Sequence, residues 1–540
     1  MRAFHRRHGW TANESHSAEA RIQRSVHIPF TGRSAARPVN SQPQSSLWEG
    51  GSRVPERSPR PVSLFAALLA STLAVVWLFH YSGSALTLAS QYVRALGPSN
   101  LDFKAQTLTL QRAALRTADV LPVYGTSELY CCAGSFNAGT FFQDAPTGFS
   151  VFNVGYPVTE DLFWAETFGA LGNALRGHKV VVSDSPWFTS PSGISTPAYA
   201  HTYSPEIAAV FTFDAPEPLA LRAAVARRMV DFPTTLTGQP VVRAALLDLS
   251  RGGIWGYGAY LLLDPVGRLI AWSDELGDAR ETIATLHTLT HPKGKKARAL
   301  SPAVPVTPRS INWNTELQLA TAQARSATAS NPFGVASSQW THCDDLGPVS
   351  GDLCKKALQL YTTGRNNHAG QIDPVPSTWV TQVDTCACWT DLNLEFETLR
   401  AVGAEPLAWL QPLQGALDDD TPYSAAARRV LYDRYLAIAQ ADGIPATTFE
   451  QQDTDPLFEN SFGHFSQRGW VYADRLLDLF WHNDLSAVTP HLATEATGAL
   501  FAPALNCPKP AWCQGVDNVP PLTGELRNLP TGMPPLWQST

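Results

Sequence analysis

Ser127 lies in the tight stretch Gly125-Thr-Ser-Glu-Leu129, and His464 opens the stretch His464-Phe-Ser-Gln-Arg-Gly-Trp470 far downstream. A serine hydroxyl is a poor nucleophile at neutral pH until an imidazole within hydrogen-bond reach takes its proton. A serine on an early turn and a histidine near the end of a domain therefore predict acyl chemistry, with Ser127 as nucleophile and His464 as base. Gly155 and nearby backbone N–H groups could bind the oxyanion of a tetrahedral intermediate, and the Asn153 side chain could add a donor. Trp187, Phe188 and Trp470 could wall an acyl or sugar pocket. Each residue also has a plainer reading. Ser127 could cap a helix, Gly155 could be a turn glycine at positive φ, and the aromatics could be ordinary core. The chemistry requires no metal or organic cofactor.

Elements must carry the two motifs together. Leu121-Pro-Val-Tyr-Gly125 is a short apolar run ending at the serine turn, and residues 147–156 form a second strand closing on a glycine. A helical stretch runs through Leu175, and His178–Ser183 is a third strand, followed by the turn Asp184-Ser-Pro-Trp-Phe188. Strand, turn and helix recurring at this spacing predict an α/β fold with a parallel sheet. Reactive groups in such sheets gather beyond the C-terminal strand ends, where Ser127, Gly155 and Ser185 fall. Further on, residues 217–250 read as helical and 289–312 as a loop. Gly252–Leu263 reads as a core or membrane-surface element, too short for a span. Leu394–Gly403 and Ala425–Gly443 read as helices, Pro406–Pro412 as a buried strand, and Val471–Trp481 as the last helix.

Charge and cysteine placement bear on compartment. The net charge is -7, yet residues 1–60 carry ten Arg against four Glu, so the remainder is distinctly acidic. That argues against nucleic acid as a partner, because phosphate binding needs clustered Lys and Arg. Residues 1–60 read as a disordered tail. Val62–Phe79 holds eighteen residues without a charge, enough for an uncleaved membrane anchor, and its basic flank predicts a cytoplasmic N-terminus. All eight cysteines follow residue 130, in the pairs Cys131/Cys132, Cys343/Cys354, Cys386/Cys388 and Cys507/Cys513. Confinement to one side of the anchor fits disulfides in an oxidising space. Cys386-Ala-Cys388 could instead chelate zinc, although no second ligand frame accompanies it. The expected layout is a tail at 1–60, an anchor at 61–82 and an extracytoplasmic domain at 95–485 with a large insertion at about 215–390. A Pro-rich extension at 486–540 completes it.

Five segments, in order, resemble the DltD family of membrane-anchored, SGNH-hydrolase-like proteins of cell-surface polymer D-alanylation. They are Pro122–Leu129, Val182–Phe188, Thr328–Gly334, Gly403–Leu407 with Gln411-Pro412, and His464 through Trp470. The resemblance spans roughly residues 63–485 and implies an SGNH-like parallel sheet flanked by helices, with an N-terminal transmembrane helix. It implies Ser127 as nucleophile and His464 as base, working beside a multispanning membrane O-acyltransferase, with an acyl-carrier route, on a polymer outside the membrane. The family places an Asp three residues before its histidine, whereas Ser461 stands there in this chain. Asp453, Asp455 or Glu459 could substitute, or Ser127 and His464 could act as a dyad. The expected function is a periplasm-facing serine acyltransferase or esterase that transfers D-alanyl or acetyl groups. The rival is a degenerate scaffold that binds the polymer or the O-acyltransferase.

Overall fold

The computed structural model describes residues 83–129, 134–186, 193–293, 299–303, 307–330, 383–413, 425–455, 457–461 and 464–485, with Ala66, Leu69 and Tyr81. The tail at 1–60, nearly all of the expected anchor, the C-terminal extension, Trp187, Phe188 and every cysteine but Cys386 and Cys388 lie outside the described residues. The chain divides into two compact units, Met1–Leu68 and Leu69–Thr540. Of the first only Ala66 is described; all that follows concerns the second. Among the described residues no helix is long and apolar enough to cross a membrane.

The second unit is built on five parallel strands: β1 (Val120–Gly125), β2 (Ser150–Gly155), β3 (Lys179–Asp184), β4 (Glu405–Leu410) and β5 (Ala446–Thr447), in the spatial order β2-β1-β3-β4-β5. Both faces of the sheet are covered, which is why these segments read as continuous apolar runs rather than as alternating ones. Successive side chains still serve opposite faces. Tyr124, Val154, Val182 and Leu410 join one core, and Val123, Val151, Val181 and Trp409 join the other.

The first core is covered by a run of helices that surround it in chain order. They are α1 (residues 83–96), α2 (Leu108–Arg116), α3 (Asp161–Leu171), α4 (Thr196–Thr202), α5 (Pro205–Asp214), α6 (Leu219–Met229), α7 (Pro240–Arg251) and α8 (Gly253–Thr290). The second core is closed by α9 (Trp313–Ser330) and, at the end of the domain, by a helix described below. Two more helices, α10 (Cys388–Val402) and α11 (Ala425–Ala441), return to the first face on either side of β4. The expected α/β class with a helix-flanked parallel sheet is thus the observed one. β1, β2, β3 and β4 fall where the apolar runs place them.

Three differences have physical causes. Gly252–Leu263 is not a separate short element but the start of α8, a helix of 38 residues with Pro265 inside it. Its four glycines at 252, 253, 256 and 258 argue locally against a helix, and packing overrides them: a Cβ on Gly256 would lie 2.5 Å from Asp248 O, so close approach to α7 requires glycine there. β5 is two residues long, below any periodic signal. Cys386 and Cys388 are bonded to each other, so that pair is not a zinc chelate.

Candidate active site

In a sheet of this order the chain leaves β1 to one side for β2 and to the other for β3, leaving a crevice beyond their C-terminal ends. Ser127 opens a one-turn 3-10 helix, Ser127–Leu129, directly after β1. The turn is folded by its own side chains. Glu128 is 1% exposed, and its Oε1 accepts the Thr126 N–H at 2.7 Å. A Cβ on Gly125 would sit 2.3 Å from that same oxygen and 3.0 Å from Ser183 O, so only glycine admits the returning carboxyl group. Burial raises the Glu128 acid to about 8, which leaves it largely protonated at neutral pH. The Ser127 side chain stays partly open to solvent.

His464 arrives from the far edge. β5 is three strand spacings from β1, about 14 Å, and the chain after it crosses back over the rim. It then forms a small antiparallel pair, β6 (Glu459–Ser461) with β7 (His464–Phe465), followed by α12 (Gln467–Trp481). The pairs are Glu459 with Phe465 and Ser461 with His464. Phe465, fully buried, anchors the hairpin by edge-on packing against Phe449, Phe458 and Trp470, at centroid distances of 5.3, 5.6 and 5.5 Å. Ser466 caps α12, accepting the N–H groups of Arg468 at 3.0 Å and Gly469 at 3.2 Å. Gly469 allows Phe458 O to approach to 2.4 Å of where a Cβ would stand. The residues after the histidine thus fix the direction in which its ring leaves the hairpin.

The result is a hydrogen bond of 3.0 Å between Ser127 Oγ and His464 Nε2. Burial lowers the imidazole to about 4, so at neutral pH the ring is uncharged and able to accept the serine proton. Ser127 and His464 are brought together. The other candidates fare differently. Gly155 ends β2 opposite Gly125, and it is not among the residues at positive φ, so its reading as a left-handed turn glycine is removed. Asn153 is corrected as an oxyanion donor. It pairs with Val123, two residues below the strand ends, and its Nδ2 donates to Leu129 O at 3.2 Å and Asn137 Oδ1 at 2.9 Å. Its amide braces the end of the serine turn instead. Trp470 is corrected as a pocket wall: it is 0% exposed within the second core.

Of the acid candidates, Asp453 accepts from Arg428 Nε at 2.9 Å and Asp455 from Arg468 Nε at 2.7 Å, so arginines engage both. Glu459 is buried across from Phe465 rather than across from His464. The residue directly opposite His464 is Ser461. Two residues that the sequence reading passed over matter here. Glu128 shapes the turn, and Asn137 donates Nδ2 to Leu129 O at 3.0 Å beside Asn153. Glu128 stood inside the quoted motif, whereas nothing marked Asn137 locally.

A second polar cluster lies beyond the ends of β3 and β4. Carboxylate oxygens of Asp161, Asp184 and Glu395 come within 4.8 Å of one another, the group of described residues best placed to meet a cation. Burial raises all three acids, Asp184 to about 7, and Tyr435 donates to Asp184 Oδ2 at 2.6 Å. Burial of this kind favours shared protons over three charges.

Comparison with known proteins now bears on this geometry. A family model described as DltD protein matches residues 99–349, which include β1, β2, β3 and the serine turn. Protein DltD of Bacillus subtilis (strain 168) is 24% identical over 388 residues, covering 72% of this chain and 88% of that relative. Together with the parallel sheet, these matches make the chain similar to the DltD family.

Proposed function

We propose that the protein is a membrane-anchored serine acyltransferase of SGNH-hydrolase type that assists O-acylation of a cell-surface polymer, carrying a D-alanyl or acetyl group on Ser127. The likeness to the DltD family supports a role in D-alanylation of cell-surface polymers. The observation that carries the chemical route is the 3.0 Å bond between Ser127 Oγ and His464 Nε2 at the rim of the sheet.

In the proposed cycle Oγ attacks the acyl carbonyl carbon while Nε2 accepts its proton. Backbone N–H groups around the ends of β1 and β2, including that of Gly155, face the oxyanion. The intermediate collapses as the imidazolium returns the proton to the leaving group, leaving an ester on Ser127. An acceptor hydroxyl then enters, loses its proton to Nε2 and takes the acyl group, restoring the serine. With water as acceptor the same steps make an esterase. The donor side of this reading is a multispanning membrane O-acyltransferase fed by an acyl-carrier route. The domain stands outside the cytoplasmic membrane with residues 1–60 inside.

The second reading is a scaffold that holds the polymer or the O-acyltransferase without turnover. Ser461 favours it, because an Asp opposite the histidine would fix the imidazole tautomer and stabilise its charged form. Treating the full chain with a fluorophosphonate separates the two. The catalytic reading expects adduct on Ser127 that is lost in Ser127→Ala and His464→Ala; a folded wild type that takes no label supports the scaffold. Restoration of polymer acylation in cells by wild type and not by Ser127→Ala identifies transfer as the role.

A further inference from the structure

The first half of α8 carries an apolar face that no described residue covers. Ile254 is 83% exposed, Trp255 89%, Leu261 56%, Leu262 83%, Val266 53% and Leu269 64%. At 100° per residue these positions fall within one arc of the helix surface, a stripe about 23 Å long. The opposite face, Gly256, Tyr260, Gly267 and Ala271, is buried against the domain. It is rigidly seated: a Cβ on Gly267 would lie 2.0 Å from the Phe213 ring, and Tyr260 takes an Arg222 N–H at 2.6 Å. Beyond residue 270 the same outward face turns polar, with Ser273, Arg280, Glu281, His287 and Thr288 open or half-open to water. One continuous helix thus changes solvent partway along.

We infer that the apolar half of α8 lies in the interface of a lipid bilayer, seating the domain on the membrane that its N-terminal segment enters. Three observations select lipid over a protein partner. Its six exposed apolar side chains carry no charge, whereas protein interfaces set hydrogen bonds and Arg anchors among their apolar residues. The charges at its borders are sorted. Arg251 and Arg268 are 69% and 55% exposed, while Asp248 and Asp264, which they pair with on the same helices, are 16% and 19% exposed; Arg268 also pairs with Asp214, 41% exposed. Guanidinium groups turned outward with their acids drawn inward complement anionic headgroups. Trp255 and Tyr257 at the start of the stripe are the residue types that settle at headgroup level.

Chain continuity gives the fourth argument. The charge-free segment 62–79 leads directly into α1. Lys104 Nζ donates to the carbonyls of Leu96, Gly97 and Ser99 just past the end of α1, and three residues later Thr107 bonds Asp278 of α8. The end of α1 and α8 are therefore joined through a few residues of rigid structure. A single span leaves a domain free to swing, and a second apolar attachment fixes the height and tilt at which the serine turn faces the membrane surface. The inference does not depend on acyl chemistry at Ser127.

The test uses the full chain in cell membranes, with p-benzoylphenylalanine replacing Leu262 in one variant and Glu281 in the other. Both positions are exposed, so the fold tolerates the change, and thermal melting confirms it. Irradiation is expected to add a phospholipid-sized mass at position 262 and none at 281. A crosslink from 262 to another polypeptide or to a second copy of this chain overturns the inference, as does equal lipid labelling at both positions or none at either.

Discussion

An imidazole whose pKa falls to about 4 is uncharged and able to accept a proton at pH 7, yet it is a weak base. Its lowered value follows from burial. Rates of Ser127 acylation should therefore show an acid limb near pH 4 rather than near the ordinary 6.5 of histidine; a limb at 6.5 would exclude the buried ring as the base. Ser461 pairs with His464 across the hairpin, so Ser461→Asp tests whether a carboxylate at that position serves the imidazole. That variant should move the acid limb upward and raise the rate by about tenfold or more. No change in either, with the fold intact, would mean that the hairpin does not need the acid. Asn153→Ala tests the corrected role of that residue. As a brace on Leu129 O its loss should cost about 1–3 kcal/mol of stability. A direct oxyanion donor would instead cost about 10²–10³ in rate and leave stability alone.

Among the elements, the β6–β7 hairpin decides whether a site exists. It has few ladder bonds of its own, and its position comes from the aromatic cluster around Phe465 and from the Ser466 cap of α12. Phe465→Ala should destabilise the domain by about 3–5 kcal/mol. It should also abolish Ser127 labelling at temperatures where the sheet persists, whereas Phe465→Leu should retain most of both. Urea denaturation alongside labelling separates the effects. If labelling survives Phe465→Ala unchanged, the histidine is held by something other than this packing.

Across the whole molecule, the first core contains many carboxyl groups with little countercharge. Glu128 and Glu166 are raised to about 8 and Asp184 to about 7, all chiefly by burial, with Glu160, Asp161 and Glu395 raised alongside. A group whose pKa is higher in the folded state holds its proton there while the unfolded chain has lost it. Its stabilisation is present below about pH 4.5 and fades as pH climbs toward 7–8. His464 works the other way, losing stability as pH falls from 6.5 toward 4, but it is one group against several. The melting temperature of the domain should therefore be higher near pH 5.5 than near pH 8.5. A rising or flat profile over that interval would show that the buried carboxyl cluster is compensated by a bound cation or by water.

The sequence by itself determined the local pieces: the strands that flank the serine turn, the last helix, and the two short motifs whose residue types suit a nucleophile and a base. Those are set by runs of apolar residues and by turn chemistry, which act over a few positions. Tertiary structure decided everything that needs distance. It carried a histidine across the sheet rim to one serine, and turned Asn153 and Trp470 inward to structural tasks. It gave Asp453 and Asp455 to arginines and welded a glycine-rich stretch into α8 against every local propensity. Packing between segments hundreds of residues apart supplies those free energies, and no window of sequence contains both partners.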